Sequence, residues 1–169
     1  GRNSVLGDSI ARLLQARGHE VRRHYYIDDV GRQSALIAYG YAKLGKPHPQ
    51  GKPDHFIGAI YSVTSCLLEI GRLKNELKRS EQTSKSEYVA QLQRELDEWM
   101  AIAVELETKY PDIFNKMLDA LEEEIVDPEL KVAELNRKYE ADHGETKKLI
   151  REVCQICLEG FEQTLGTVS

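Results

Sequence analysis

Two adjacent carboxylates, Asp28 and Asp29, follow a short run of tyrosine and isoleucine and precede Gly31 and Gln33. Carboxylate and amide groups can bind polar substrates, while glycine tolerates the positive φ that a tight turn requires. The same carboxylates could instead cap the next helix, because oxygens at a helix start accept backbone N–H hydrogen bonds and suit the helix dipole. Residue chemistry alone supports a ligand site and a helix cap about equally.

One helix and one strand are predicted to hold this turn in place. Apolar residues at helical spacing predict a helix over 4–17, and Gly18 stands where a left-handed C-terminal cap belongs. Residues 19–27 are rich in valine, tyrosine and isoleucine without helical periodicity, which favours the only strand in the sequence. Ligands gather at the carboxyl ends of strands in parallel nucleotide-binding sheets, so this order of elements is typical of one sheet unit. A lone strand needs pairing partners, either from a second copy or from the rest of a larger protein.

The remainder of the chain predicts helices only. They are expected over 31–44, from an Asp54 cap to about 79, over 87–109, from Pro111, from Pro128 behind an Asp127 cap, and over 145–165. In the helix over 87–109, apolar residues alternate at spacings of three and four, which predicts a seam that a partner helix must cover. The seam consists of Val89, Leu92, Leu96, Trp99, Ala103 and Leu106.

The composition indicates a soluble, mainly α-helical chain. Of its 169 residues, 41% are hydrophobic and 30% are charged, and the net charge is −5. That charge argues against a general polyanion binder, because affinity for nucleic acid depends largely on lysine and arginine. Residues 1–33 hold six arginines and four acids, so only this segment is basic. No apolar run approaches the roughly 20 residues of a membrane-spanning helix.

Cys154 and Cys157 have the spacing of half a zinc site. Both fall on the apolar stripe of the last predicted helix, and no second cysteine or histidine pair follows at zinc-finger spacing. We therefore expect reduced, buried thiols and no metal site.

Four stretches together resemble a known family. They are residues 1–14 (GRNSVLGDSIARLL), 18–21 (GHEV), 26–33 (YIDDVGRQ) and 158–166 (LEGFEQTLG). In this order they are similar to the catalytic domain of archaeal-type arginyl-tRNA synthetases, which are class I enzymes. A GRNSxxGD start followed by a DDxGxQ turn is far more specific than either motif alone. Residues 45–140 match less specifically, as the helical connecting segment between the two halves of that family's sheet.

The resemblance implies a mainly α-helical fragment with two parts. Residues 1–33 would form a partial α/β, Rossmann-type nucleotide-binding unit with a single strand, and residues 34–169 the helical insertion of the catalytic domain. The full-length enzyme would attach arginine to tRNA through arginyl-adenylate, using ATP with Mg. The expected rim of the substrate and ATP site comprises Arg2, Asn3, Asp28, Asp29, Gly31 and Gln33.

The resemblance also implies that the fragment does no chemistry alone. The family's His-x-Gly-His signature is expected before Gly1, and these histidines and the lysine loop would stabilise charge on the transferring phosphates. The fragment is therefore expected to contain no catalytic residue and to bind no cofactor. It would be cytoplasmic, without membrane association, and the unpaired strand or exposed helix faces could let it self-associate.

A free-standing helical interaction module, pairing through the seam of residues 89–106, is the alternative from another functional class. The sequence upstream of Gly1 separates the two hypotheses, because a His-x-Gly-His signature there identifies the synthetase.

Overall fold

The computed structural model describes residues 2–24, 31–80, 86–124 and 127–167, apart from the side chains of Arg2, Ser4 and Ser86. Seven helices account for the regular structure of these ranges. They are α1 (Arg2–Ala16), α2 (Arg32–Lys43), α3 (Pro53–Ser80), α4 (Ser86–Lys109), α5 (Pro111–Glu122), α6 (Pro128–Glu140) and α7 (Gly144–Gly166). The expected mainly α-helical class is therefore confirmed.

The predicted strand is not seen in the part of it that the structure describes. Residues 19–24 form no regular secondary structure, and residues 25–27 lie outside the described ranges. A strand needs a neighbour to pair its N–H and C=O groups, and the described ranges of this chain supply no other strand. The sheet unit with a single strand is thus not shown.

Helix α1 ends where the sequence predicts but does not join the core. Gly18 has φ 85°, and the N–H of His19 bonds the carbonyl of Leu14 at 3.1 Å, which closes the C-terminal turn. Its apolar stripe lies open to solvent, with side chains between 40% and 68% exposed: Val5, Leu6, Ile10, Leu13 and Leu14. No extensive contact joins α1 to the other described helices.

Helix α3 is the centre of the core. Its apolar stripe is buried as predicted, with Ile57, Ile60, Val63 and Leu73 almost fully shielded from solvent. It contacts α2, α4, α5 and α7. Pro53 takes the first helical position, so the prediction that Asp54 caps this helix is wrong, since Asp54 lies inside the first turn. Its carboxylate instead accepts hydrogen bonds from Lys52 Nζ at 2.6 Å.

The predicted seam of α4 is covered within the chain itself. Leu92, Leu96 and Ala103 are buried in the same cluster as the stripe of α3, and Cys66 Sγ lies 3.6 Å from the carbonyl oxygen of Trp99. This packing removes the exposed interface on which a free-standing interaction module would depend.

By length and composition, α3 could also cross a membrane, alone among the helices of the described ranges. Half of its most apolar window is buried against neighbouring helices, as expected for a core helix. No apolar run of about 20 residues was expected, and α3 reaches the length and composition of a spanning helix although it is a core helix of the structure.

Two glycines bring helices unusually close together. A Cβ added at Gly40 of α2 would lie 2.3 Å from Thr64 Oγ1 of α3. One added at Gly160 of α7 would lie 2.2 Å from Asp54 Oδ1 and 2.5 Å from the Asp54 backbone nitrogen. Side chains cannot occupy these positions without displacing a neighbour, so α2 and α7 both depend on glycine to pack against α3.

Candidate functional site

The turn that leads into α2 is the candidate site, and the structure describes it from Gly31 onward. Gly31 is the N-cap of α2 with φ 113° and ψ 176°, a conformation that favours glycine strongly. Its carbonyl accepts the N–H of Ala35 at 3.2 Å. Asp28 and Asp29 lie outside the described residues, so their role stays a prediction. The N-cap position itself belongs to Gly31 and to neither aspartate.

Gln33 lies in the first turn of α2, with its side chain exposed. Within the described ranges its amide makes no hydrogen bond, so no internal hydrogen bond of the fold depends on it. An exposed amide beside a glycine turn is free to bind a polar ligand. This geometry is compatible with the predicted place of Gln33 on a substrate rim.

Arg32, which the sequence analysis passed over, anchors the turn to a distant helix. Its Nη2 lies 2.5 Å from Glu129 Oε1 in the first turn of α6, and both side chains are partly exposed. Asp127 caps α6 as predicted, accepting the Glu129 N–H at 3.0 Å. The ion pair therefore joins the first residue of α2 to the start of a well-capped helix.

The last turn of α2 is held by a second polar cluster. Glu124, just beyond α5, is only 7% exposed and pairs with Lys43 of α2 and Lys131 of α6. Hydrogen bonds from these two ammonium groups lower the pKa of Glu124 from its ordinary 4.5 to about 2. Tyr39 donates a hydrogen bond to the same carboxylate at 3.2 Å, and burial first, then the Glu124 charge, raises the Tyr39 pKa. Because the pKa of Glu124 is lowered and that of Tyr39 is raised, neither side chain titrates near neutral pH, so this pair stabilises the position of α2 rather than moving protons.

The N-terminal rim residues belong to α1. Asn3 is exposed in the first turn of α1, and Arg2 begins that helix. No hydrogen bond or ion pair in the described ranges joins Asn3 to Gly31 or Gln33. The structure thus places Gly31 and Gln33 on one turn and shows no hydrogen bond between them and Asn3.

The cysteine pair of α7 has the surroundings of structural thiols. Cys154 and Cys157 are both partly buried. Burial, followed by the neighbouring Cys154 and Asp54, raises the pKa of Cys157 to about 11, which disfavours the thiolate that zinc requires. Among the described residues, no group of three histidine, cysteine or acidic side chains could hold a metal ion.

Comparison with curated proteins aligns nearly the whole chain with archaeal arginine–tRNA ligases. The chain is 41% identical to that of Saccharolobus solfataricus over 170 residues, or 99% of its length. It is 40% identical to that of Sulfolobus acidocaldarius over 165 residues, and 39% identical to that of Pyrobaculum aerophilum over 170 residues. The aligned stretch is 26% of each relative, so the chain spans about a quarter of their length.

Neither a protein-family model nor a solved structure matches the chain. The alignments nevertheless confirm the resemblance expected from the sequence motifs, and they extend it over 97% to 99% of the chain.

Proposed function

We propose that this chain, which corresponds to a segment of archaeal-type arginyl-tRNA synthetases, is part of the catalytic domain of an enzyme that attaches arginine to tRNA. The observation that carries the proposal is the alignment of nearly the whole chain with proteins named arginine–tRNA ligase. The full-length enzyme would use ATP with Mg, pass through arginyl-adenylate, and work in the cytoplasm.

The exposed apolar faces support the proposed division into residues 1–33 and residues 34–169. Burying one large apolar side chain contributes roughly 1.5–3 kcal/mol, so a helix with five such side chains in water lacks its packing partner. Helix α1 has this property, whereas α2 to α7 bury apolar residues in two hydrophobic clusters. A sheet supplied by the rest of the enzyme would cover α1, and residues 34–169 would form the helical insertion.

The C-terminal end of α7 also exposes large apolar side chains to solvent. Phe161 is 44% exposed and Leu165 is 63% exposed, although Val153 and Ile150 earlier in this helix are buried. This end would return the chain to the nucleotide-binding sheet. In the isolated chain, the exposed faces of α1 and α7 would also favour self-association.

The turn residues would bind and orient substrate rather than carry out chemistry. Gly31 lets the backbone approach a ligand closely, and Gln33 presents a free amide from a helix that Arg32 and Lys43 hold in place. Asp28 and Asp29, together with Arg2 and Asn3, would complete the rim. These groups suit the polar atoms of arginine or ATP.

Catalysis would require the phosphate-stabilising motifs of the rest of the enzyme, so the 169-residue chain alone would be inactive. The test compares arginylation of tRNA by the full-length protein with arginylation by the 169-residue chain. Activity confined to the full-length protein supports the proposal, and failure of the full-length protein to charge tRNA with arginine contradicts it.

A further inference from the structure

A cleft of about 360 Å³ opens where three parts of the chain meet: the loop over 45–52, the first turn of α3 and the junction of α4 with α5. Its inner wall is apolar, and its rim is polar. Leu44, Phe56, Ala59 and Ile113 form the wall, and Gln50, His55, Asp112 and Lys116 stand at the rim. None of these residues belongs to the proposed substrate rim, so the cleft is a separate feature.

The loop that forms one side of the cleft is held in a defined shape. Gly45, Lys46 and Gly51 all have positive φ, and the Lys46 N–H bonds the carbonyl of Tyr41 at 3.0 Å. At one end Lys46 Nζ lies 3.3 Å from Glu152 of α7, and at the other Lys52 pairs with Asp54. A loop fixed at both ends gives a cleft that exists before any ligand arrives, which lowers the entropy cost of binding.

The side of the cleft formed by the α4–α5 junction combines an aromatic ring with positive charge. The Tyr110 ring is partly exposed, and Lys109 Nζ lies 5.1 Å from its centroid. Lys109 and Lys116 form no ion pair within the described ranges, and Asp112 is the one carboxylate among the lining residues. An apolar wall, an aromatic ring and the unpaired Lys116 at the rim, with Lys109 beside the ring, together are complementary to a flat, aromatic anion.

We propose that this cleft binds one unstacked nucleotide, with its base against Tyr110 and the apolar wall and its phosphate near Lys109 and Lys116. The volume falls within the usual range of small-molecule sites, about 300–1,000 Å³. Bases stack on aromatic side chains with little dependence on sequence. The nucleotide comes either from a free mononucleotide or from a single-stranded stretch of RNA. The identity of this source rests on the proposed function, because the proposed reaction uses both ATP and tRNA. The binding of a nucleotide in the cleft does not depend on it.

The test measures binding of two probes, adenosine monophosphate and a single-stranded RNA tetranucleotide, to the 169-residue chain by calorimetry. Lys116→Glu reverses a charge of the cleft, and Lys148→Glu reverses the charge of another exposed lysine, on α7 outside the cleft lining, as the control. For at least one probe, we expect saturable binding. Lys116→Glu should raise its dissociation constant on the order of fivefold or more, and Lys148→Glu should change it by less than about twofold. Tighter binding of the tetranucleotide identifies a strand as the source, and equal binding identifies the free nucleotide.

Two results overturn the inference: neither probe binds saturably, or Lys148→Glu weakens binding as much as Lys116→Glu. A parallel assay of tRNA arginylation by the full-length enzyme keeps the two proposals apart. Retained arginylation without nucleotide binding to the cleft contradicts this inference alone, whereas absent arginylation contradicts the proposed function.

Discussion

Gly160 of α7 lies directly against Asp54 of α3, so closely that a Cβ at Gly160 would be 2.5 Å from the Asp54 backbone nitrogen. The obstacle includes the backbone of a core helix, and the Asp54 side chain is itself held by Lys52. Neither can move without disturbing the first turn of α3. This contact fixes the end of α7 against the centre of the fold.

Gly160→Ala should therefore destabilise the chain, by roughly 1–3 kcal/mol, as overpacking does in a well-packed core. The direction of the stability change distinguishes a close contact from open space, because replacing glycine by alanine in an open helical position stabilises a helix by about 1 kcal/mol. Gly71→Ala in α3 is the matched control, since a Cβ there meets nothing within 4 Å. Urea unfolding of both variants checks the prediction, and equal stabilisation by both would disprove the close contact.

The buried carboxylate of Glu124 should make stability depend on acid pH. Its pKa is about 2 in the folded chain against an ordinary 4.5, so its contribution is fully present above about pH 4.5. That contribution is lost as the pH falls from 4.5 toward 2, because the unfolded chain then binds the proton more tightly. The free energy of unfolding, measured between pH 6 and pH 2.5, should fall less steeply in Glu124→Gln than in the parent. Parallel curves would show that Glu124 is not paired in the folded state.

Local features of the sequence predicted the helices well. Gly18 and the Asp127–Pro128 pair mark helix ends with their own chemistry, and the apolar stripes of α3 and α4 have helical spacing. The Asp54 cap was wrong because a proline directly before it fits the first helical position better. The strand rested on composition, whereas strand formation depends on partners that the described chain does not supply.

Contacts between distant residues could not be predicted in the same way. Arg32 and Glu129 are 97 residues apart, and nothing in either neighbourhood indicates that they meet. Glu124 likewise stands in an acidic run that reads as an exposed helix end, yet it is buried between two lysines. Of the predicted site, the positive φ at Gly31 could be predicted from residue type because a glycine turn is local, whereas the substrate role of Gly31 and Gln33 stays a prediction.

Gln33→Ala in the full-length enzyme should lower arginylation efficiency several-fold and leave the melting temperature nearly unchanged. The amide is exposed and unpaired in the described structure, so its removal costs no internal hydrogen bond. Gln155→Ala, an exposed glutamine on α7, serves as the control and should change neither quantity. Unchanged steady-state kinetics for arginine, ATP and tRNA in Gln33→Ala would remove Gln33 from the substrate rim.

The purified chain should bind no zinc at Cys154 and Cys157. The raised pKa of Cys157 disfavours the thiolate, and two ligands without a third or fourth make a poor zinc site. Elemental analysis after dialysis against zinc should find well under one equivalent. Stoichiometric zinc that disappears in Cys157→Ala would contradict the assignment of these cysteines to the helix packing.

The central test of the proposed function is arginine-dependent exchange of pyrophosphate into ATP, followed by transfer of arginine to tRNA. We predict both reactions in the full-length protein and neither above background in the purified 169-residue chain, because in the proposed function this chain would supply a substrate rim and a helical insertion but not the phosphate-stabilising motifs. Charging of tRNA with a different amino acid by the full-length protein, or turnover by the 169-residue chain alone, would contradict it.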